Sequence, residues 1–101
     1  MTEFTEKVIT VIRAIPEGKV MTYGQVAAEA GSPRAARQVV RILHSMSAPY
    51  KLPWHRVIGG KGELRLPDGE TLEEQLFLLA AEGVEVTGRR YVDLERYGYR
   101  T

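Results

Sequence analysis

The segment Leu52-Pro53-Trp54-His55-Arg56-Val57 sets the chain's only tryptophan directly before a histidine and an arginine. An imidazole beside a guanidinium can move a proton or hold an anion, and Glu82 offers His55 a carboxylate for general acid–base work. Nothing in the sequence builds a substrate pocket around that pair, and a tryptophan with a neighbouring histidine also reads as ordinary core packing. Ser32, Ser45 or Ser47 can be combined on paper with His44 or His55 and with Asp68 or Asp93, but no GxSxG elbow supports a triad. There is no Walker A loop and no GxGxxG, so no nucleotide cofactor is expected. The chain has no cysteine, which removes disulfides, thiolate metal ligation and a cysteine nucleophile together. With two histidines and neither HxxxH nor HExxH, no metal site is expected.

The elements that must position these residues are mostly helical. Phe4, Val8, Val11, Ile12 and Ile15 recur at helical spacing and predict a helix from about Glu3 to Ala14, stopped by Pro16-Glu17-Gly18-Lys19. Val20 and Met21 read as extended. Thr22 and Gln25 form a capping box for a short helix from Tyr23 to about Ala30. Gly31 can close that helix in a left-handed conformation, Ser32 can cap the next, and Pro33 suits its first turn. On this third helix Ala35, Val39, Ile42, Leu43 and Met46 share one face, while Arg34, Arg37, Arg41 and His44 share another. Helix, tight turn, and a helix with a basic stripe make a candidate DNA-binding helix-turn-helix.

Residues 47 to 53 read as a loop, Trp54 to Ile58 as extended, and Lys61 to Leu66 as an irregular hairpin or loop. Thr71 and Glu74 repeat the capping-box signature before a helix carrying Leu72, Leu76, Leu79 and Ala80, ended by Gly83. Val84-Glu85-Val86 and Tyr91-Val92-Asp93-Leu94, around Gly88, suit two strands of a small wing. The fold class expected is mainly α with a small β wing, a winged helix-turn-helix over residues 1–101.

Length and composition bound the rest. With 101 residues and 44% apolar content the chain has room for one modest core. No apolar run approaches the roughly 20 residues of a membrane span, and the N-terminus lacks the pattern of a signal peptide, so a cytoplasmic protein is expected. Net charge is +1, but it is unevenly spread. Between residues 31 and 66 stand Arg34, Arg37, Arg41, Lys51, Arg56, Lys61 and Arg65 against the single acid Glu63. Between 66 and 86 stand Asp68, Glu70, Glu73, Glu74, Glu82 and Glu85 with no base. Such a chain can turn a positive face to a polyanion while another face stays acidic.

Several separated stretches point to one family. VMTYGQVAAEAG, SPRAARQVVRIL, LPWHRVI and AAEGVEV resemble, in order and spacing, the DNA-binding and active-site segments of the O6-alkylguanine-DNA alkyltransferases, over roughly residues 4 to 88. In that family the central motif reads Pro-Cys-His-Arg-Val, and its cysteine accepts the alkyl group; here the position is Trp54. This replacement, with the lack of the family's separate N-terminal domain, resembles the alkyltransferase-like proteins, which bind alkylated guanine without repairing it.

The resemblance implies roles residue by residue. Tyr23 matches a tyrosine that crowds the target nucleotide's phosphate, and Arg37 an arginine that enters the base stack. Ala35 and Ala36 match small residues that bring the helix close to the minor groove. Thr22, Ser32, Arg34, Arg41 and Gly60 are implied backbone contacts. Trp54 and Val57 would line the lesion pocket beside Tyr23, and His55 and Glu82 would belong to the same pocket as a retained structural hydrogen-bonded pair, with Arg56 also paired. Arg65 is nominated for the cation that relatives carry in the loop over the pocket, since direct counting gives Pro67. The family often has an asparagine after the recognition helix; Ser45-Met46-Ser47 stands there in this chain.

The expected function is non-enzymatic sensing of O6-alkylguanine in duplex DNA by a monomer that flips the damaged nucleotide and signals to nucleotide excision repair proteins. The rivals are a helix-turn-helix regulator that reads unmodified DNA, and a small hydrolase or lyase using His55 and Glu82.

Overall fold

In the computed structural model, which describes residues 1–100, the chain opens with α1, Glu3–Arg13. The Thr2 hydroxyl accepts from the Thr5 amide at 3.1 Å, and Val8, Ile9 and Ile12 bury its inner face. Strand β1, Met21–Thr22, runs directly into α2, Tyr23–Glu29. The capping box expected at this junction is present: the Thr22 hydroxyl accepts from Gln25 N, and the Gln25 side chain accepts from Thr22 N, both at 3.0 Å. At the far end Gly31 adopts φ +93°, and the Gly31 and Ser32 amides return to the Ala28 and Ala27 carbonyls, closing α2 with a Schellman motif.

Helix α3, Ala36–Tyr50, starts later and ends later than its pattern predicts. Ser32 does not cap it. Ala35 does, without a side-chain bond, because the Ala35 amide is held by the Ser32 carbonyl in a turn that leaves Pro33 and Arg34 outside the helix. The predicted loop from residue 47 is helical through Tyr50. Lys51, at φ 51°, closes the helix with the same left-handed motif that glycine supplies to α2.

Trp54–Arg56 form a 3-10 turn rather than an extended segment, followed by β2, Val57–Ile58. Helix α4, Glu70–Ala81, begins one residue before Thr71 with Gly69 as its cap, so the Thr71–Glu74 capping box does not form. Acidic Glu70 and Glu73 in the first turn complement the exposed amides instead. Gly83, φ +82°, ends α4 as expected. Strands β3, Val86–Thr87, and β4, Tyr91–Val92, make the antiparallel wing. Asp93 and Leu94, expected to extend the second strand, instead start the short helix α5, Leu94–Tyr97, with the Asp93 carboxylate capping Glu95 N. The result is a mainly helical, winged helix-turn-helix fold, in which α2 and α3 are the helix pair and no helix among the described residues is long and apolar enough to cross a membrane.

A feature with no sequence signal organises the interior. β1 and β2 pair in parallel, Met21 opposite Val57 and Thr22 opposite Ile58. Because successive strand side chains point to opposite sides, Met21 and Val57 join the core made by α1, α2 and α3, while Val20 and Ile58 join a second core with Leu64, Leu72, Leu79, Val84, Val92 and Tyr97. The two-stranded seam therefore ties the helix-turn-helix to α4 and the wing. Trp54 stands at the entrance to β2, on this seam.

Candidate nucleic-acid interface and lesion pocket

The 3-10 turn is held from behind by a buried charge cluster. The Glu82 carboxylate, at the end of α4, receives His55 Nε2 at 2.8 Å, Arg56 Nη2 at 2.7 Å and the Gly18 amide at 3.2 Å. Arg56 also donates through Nη1 to the Ile15 carbonyl at 2.8 Å, so one guanidinium joins α4, the turn and the end of α1. Burial pushes the Glu82 carboxyl up, but the hydrogen bonds from Arg56, then His55 and Gly18, outweigh it and hold the group at about 2. An ionised carboxylate only accepts, so the proton of the His55–Glu82 bond sits on Nε2. His55 and Glu82 are thus a structural pair with Arg56 as third member. They lie behind Trp54 and form no part of the cavity wall in front of it.

That cavity has a volume of about 200 Å³. Tyr23 lines it from the start of α2, and Trp54 and Val57 from the turn and β2. Val40, Leu43, His44 and Ser47 contribute from α3, Thr71 and Gln75 from α4, and Leu66 from the loop between them. Burial raises the Tyr23 hydroxyl above its ordinary value, with Arg65 lowering it and Glu63 raising it in lesser measure. The Trp54 and His55 rings meet edge to face at 6.2 Å, which fixes the indole over the buried histidine.

Of the six pocket residues expected from sequence, Tyr23, Trp54 and Val57 come together here, whereas His55 and Glu82 stand behind the wall, held to each other, and Arg65 does not line it either. Arg65 is exposed, with Nη1 4.0 Å from Glu63 Oε1, and Leu66 occupies the wall instead. The cause is Arg90, whose Nη1 donates to the Leu64 and Leu66 carbonyls at 2.8 and 2.6 Å while Nη2 pairs with Asp68 at 2.8 Å. This clamp fixes the loop with Leu64 buried, Arg65 outward and Leu66 half-buried.

Most of the residues expected to meet DNA lie along α3 and its approach, with Thr22 and Tyr23 at the start of α2 and Gly60 after β2. Arg34, Arg37, Arg41 and His44 are exposed, and their side chains make no hydrogen bond or ion pair with any described residue. Arg34 precedes the helix; Arg37, Arg41 and His44 share one face of it. Ala35 and Ala36 are half-buried at its start, Ser32 is half-buried and Gly60 exposed. Thr22 is 7% exposed, and its hydroxyl is committed to the α2 cap, so it acts by fixing Tyr23.

The sequence reading missed Val40, Leu43, His44, Ser47, Leu66, Thr71 and Gln75 as pocket lining, and Arg90 as the residue that shapes it. For Gln75 a signal existed: it stands between Leu72 and Leu79 on the buried stripe of α4. No group of three or more histidine, aspartate or glutamate side chains able to hold a metal occurs among the described residues.

Comparison with known proteins adds ancestry. The family model of the 6-O-methylguanine DNA methyltransferase DNA-binding domain matches residues 3–84. An Escherichia coli protein named DNA base-flipping protein is 49% identical over 94 residues, 93% of this chain and 72% of the relative. Alkyltransferase-like protein 1 of Schizosaccharomyces pombe is 40% identical over 85% of this chain and 81% of its own. The crystal structure of S. pombe Atl1 in complex with damaged DNA containing O6-carboxymethylguanine superimposes with a TM-score of 0.87 and 35% identity, covering 100% of this chain and 98% of the other.

Proposed function

We propose that this chain, which belongs to the family of the 6-O-methylguanine DNA methyltransferase DNA-binding domain, is a damage-recognition protein that holds O6-alkylguanine without removing the alkyl group. It binds duplex DNA through the minor groove, turns the alkylated nucleotide out of the stack, and seats it in the cavity beside Trp54. The observation that carries this reading is that cavity, walled by Trp54 and Tyr23 and bordered by a helix whose arginines are exposed and unpaired among the described residues. The base-flipping name of one relative and the damaged DNA bound to another support it.

Extruding a base costs a few kcal/mol, and the vacated space must be filled. Arg37, a planar cation at the start of α3, can stack there and hydrogen bond to the orphaned partner base. Tyr23 stands at the cavity, fixed by the Thr22 cap. Alkyl transfer needs a thiolate; the chain has no cysteine, and an indole is no substitute. The nearby His55 and Glu82 are occupied with each other and with Arg56. A protein that binds such a lesion and leaves it intact passes it to a system that excises it, which makes nucleotide excision repair proteins the partners of this reading.

The test is a titration of two short duplexes, identical except for one O6-methylguanine, at one fixed near-physiological salt, followed through Trp54 emission. Tighter binding to the modified duplex with a change in emission is expected. Equal affinity for both would leave DNA binding without lesion recognition and favour a regulator of unmodified DNA. Mass spectrometry of the recovered DNA should find the alkyl group in place; its loss, or loss of the base, would make the protein an enzyme. Arg37→Ala is expected to weaken binding to the modified duplex roughly tenfold. Its melting temperature should be unchanged, because the side chain is exposed and unpaired. Wild-type affinity in that variant would remove the stacking role.

A further inference from the structure

Two helices each bring one unsatisfied polar atom to the residues around the cavity. Ser47 of α3 and Gln75 of α4 both line it, and both Ser47 Oγ and Gln75 Oε1 are buried with no hydrogen-bond partner. Gln75 is 2% exposed. The orientation of its amide is set by Nε2, which donates to the His55 carbonyl at 3.3 Å. A carbonyl can only accept, so the nitrogen must face it, and the amide oxygen is the end left over. The neighbouring Ser45 hydroxyl donates to the Arg41 carbonyl at 3.1 Å, the usual recourse of a helical serine; Ser47 does not do the same. A buried acceptor left without a partner is uncommon in folded proteins, because its desolvation is uncompensated.

We propose that Gln75 Oε1, assisted by the Ser47 hydroxyl, reads a hydrogen-bond donor on the nucleotide seated in the cavity. The inference rests on the reading of the cavity as the seat of a flipped O6-alkylguanine. Alkylation at O6 removes the proton from N1 of the ring, so the donors such a base can offer inward come from two sources. One is the 2-amino group of the purine; the other is a hydroxyl on the alkyl group where it carries one. Either would give the Gln75 oxygen, once the side chain turns toward the cavity, the partner it lacks in the free protein, and a nucleotide lacking both would leave it unpaired. Gln75 is therefore a specificity-determining residue that also positions His55.

The experiment is equilibrium binding at fixed salt of wild type, Gln75→Leu and Ser47→Ala to a matched set of duplexes. These carry guanine, O6-methylguanine, O6-methylhypoxanthine, O6-ethylguanine or O6-(2-hydroxyethyl)guanine at one position. Wild type is expected to favour the donor-bearing member of a matched pair by about tenfold, and Gln75→Leu to lose that preference. Weakening from O6-methylguanine to O6-methylhypoxanthine identifies the 2-amino group, and strengthening from ethyl to hydroxyethyl identifies the adduct hydroxyl. Ser47→Ala should shift the same ratio in the same direction. A role limited to holding His55 would weaken every duplex equally and leave the ratios untouched, which overturns the inference. Wild-type ratios within about twofold of unity in both pairs overturn it as well, without requiring Gln75→Leu to fold. If O6-methylguanine is bound no better than guanine, the reading of the cavity itself fails and this inference with it, an outcome distinct from flat ratios among lesions that are all preferred.

Discussion

Glu82 ties the end of α4 to the turn at His55 and Arg56 and to the loop at Gly18. Its folded-state value of about 2 lies below the ordinary 4.5, so its stabilisation is complete above about pH 4.5 and is lost as pH falls toward 2. Unfolding followed in urea from pH 7 to pH 2 should therefore show an acid limb in that window. Glu82→Gln should lack that contribution and lose about 3–5 kcal/mol at pH 7, because Arg56 keeps its charge in a mostly buried site without a counter-charge. A variant as stable as its parent would mean that the cluster does not hold the turn to α4. The pairing of His55 with Glu82, and of Arg56 beside them, was legible only through the family resemblance, which implies it. The Gly18 amide and Ile15 carbonyl that complete the cluster were illegible, since a backbone group gives no sign of itself in residue type. Gln75 was legible but passed over, because an amide on a helix reads as a solvated residue until its register with Leu72 and Leu79 is weighed.

Among the helices, ends sealed by glycine were readable and the end sealed by lysine was not. Gly31 and Gly83 close α2 and α4 in the left-handed region, where glycine has no side chain to clash. α3 ends the same way, the Lys51 and Leu52 amides returning to the Ala48 and Ser47 carbonyls, but with a side chain in that region. Pro49 and the non-glycine closure make residues 47 to 50 look like loop, although Leu52 anchors the end by burying in the core. Lys51→Gly should relieve this strain and stabilise the fold by about 0.5–1 kcal/mol after the added freedom of the unfolded chain is deducted. That corresponds to a melting temperature higher by about 3–6 °C. Lys51 is exposed and forms no side-chain bond with any described residue, so little else is lost; an unchanged or lower melting point would show that this backbone is not strained. The 3-10 turn at Trp54 escaped a local reading because it is imposed from outside, by Glu82 drawing His55 and Arg56 to the same side.

Over the whole molecule, a net charge of +1 conceals a division of labour between paired and unpaired ions. The wing and C-terminal arginines pair with three carboxylates of the acidic segment: Arg89 with Glu73, Arg90 with Asp68 at 2.8 Å, and Arg96 with Glu85 at 3.4 Å. Arg56 is occupied with Glu82 in the same way. Arg34, Arg37 and Arg41 have no such partners among the described residues, so the start of α3 and its approach keep three cations available to a polyanion. This was half legible: the uneven charge is plain in the sequence, whereas the pairing that cancels one part and spares the other needs the fold. Each phosphate neutralised should steepen the salt dependence of binding by about 0.9 in the log–log slope. Arg41 is exposed and lines no part of the cavity, so Arg41→Ala should weaken modified and unmodified duplexes by the same factor. It should also reduce the slope by about one. Arg89→Ala, which removes a cation already paired with Glu73, should leave the slope close to wild type. If the two variants changed the slope equally, the positive field would belong to the molecule at large, and α3 would lose its claim to be the face that meets DNA.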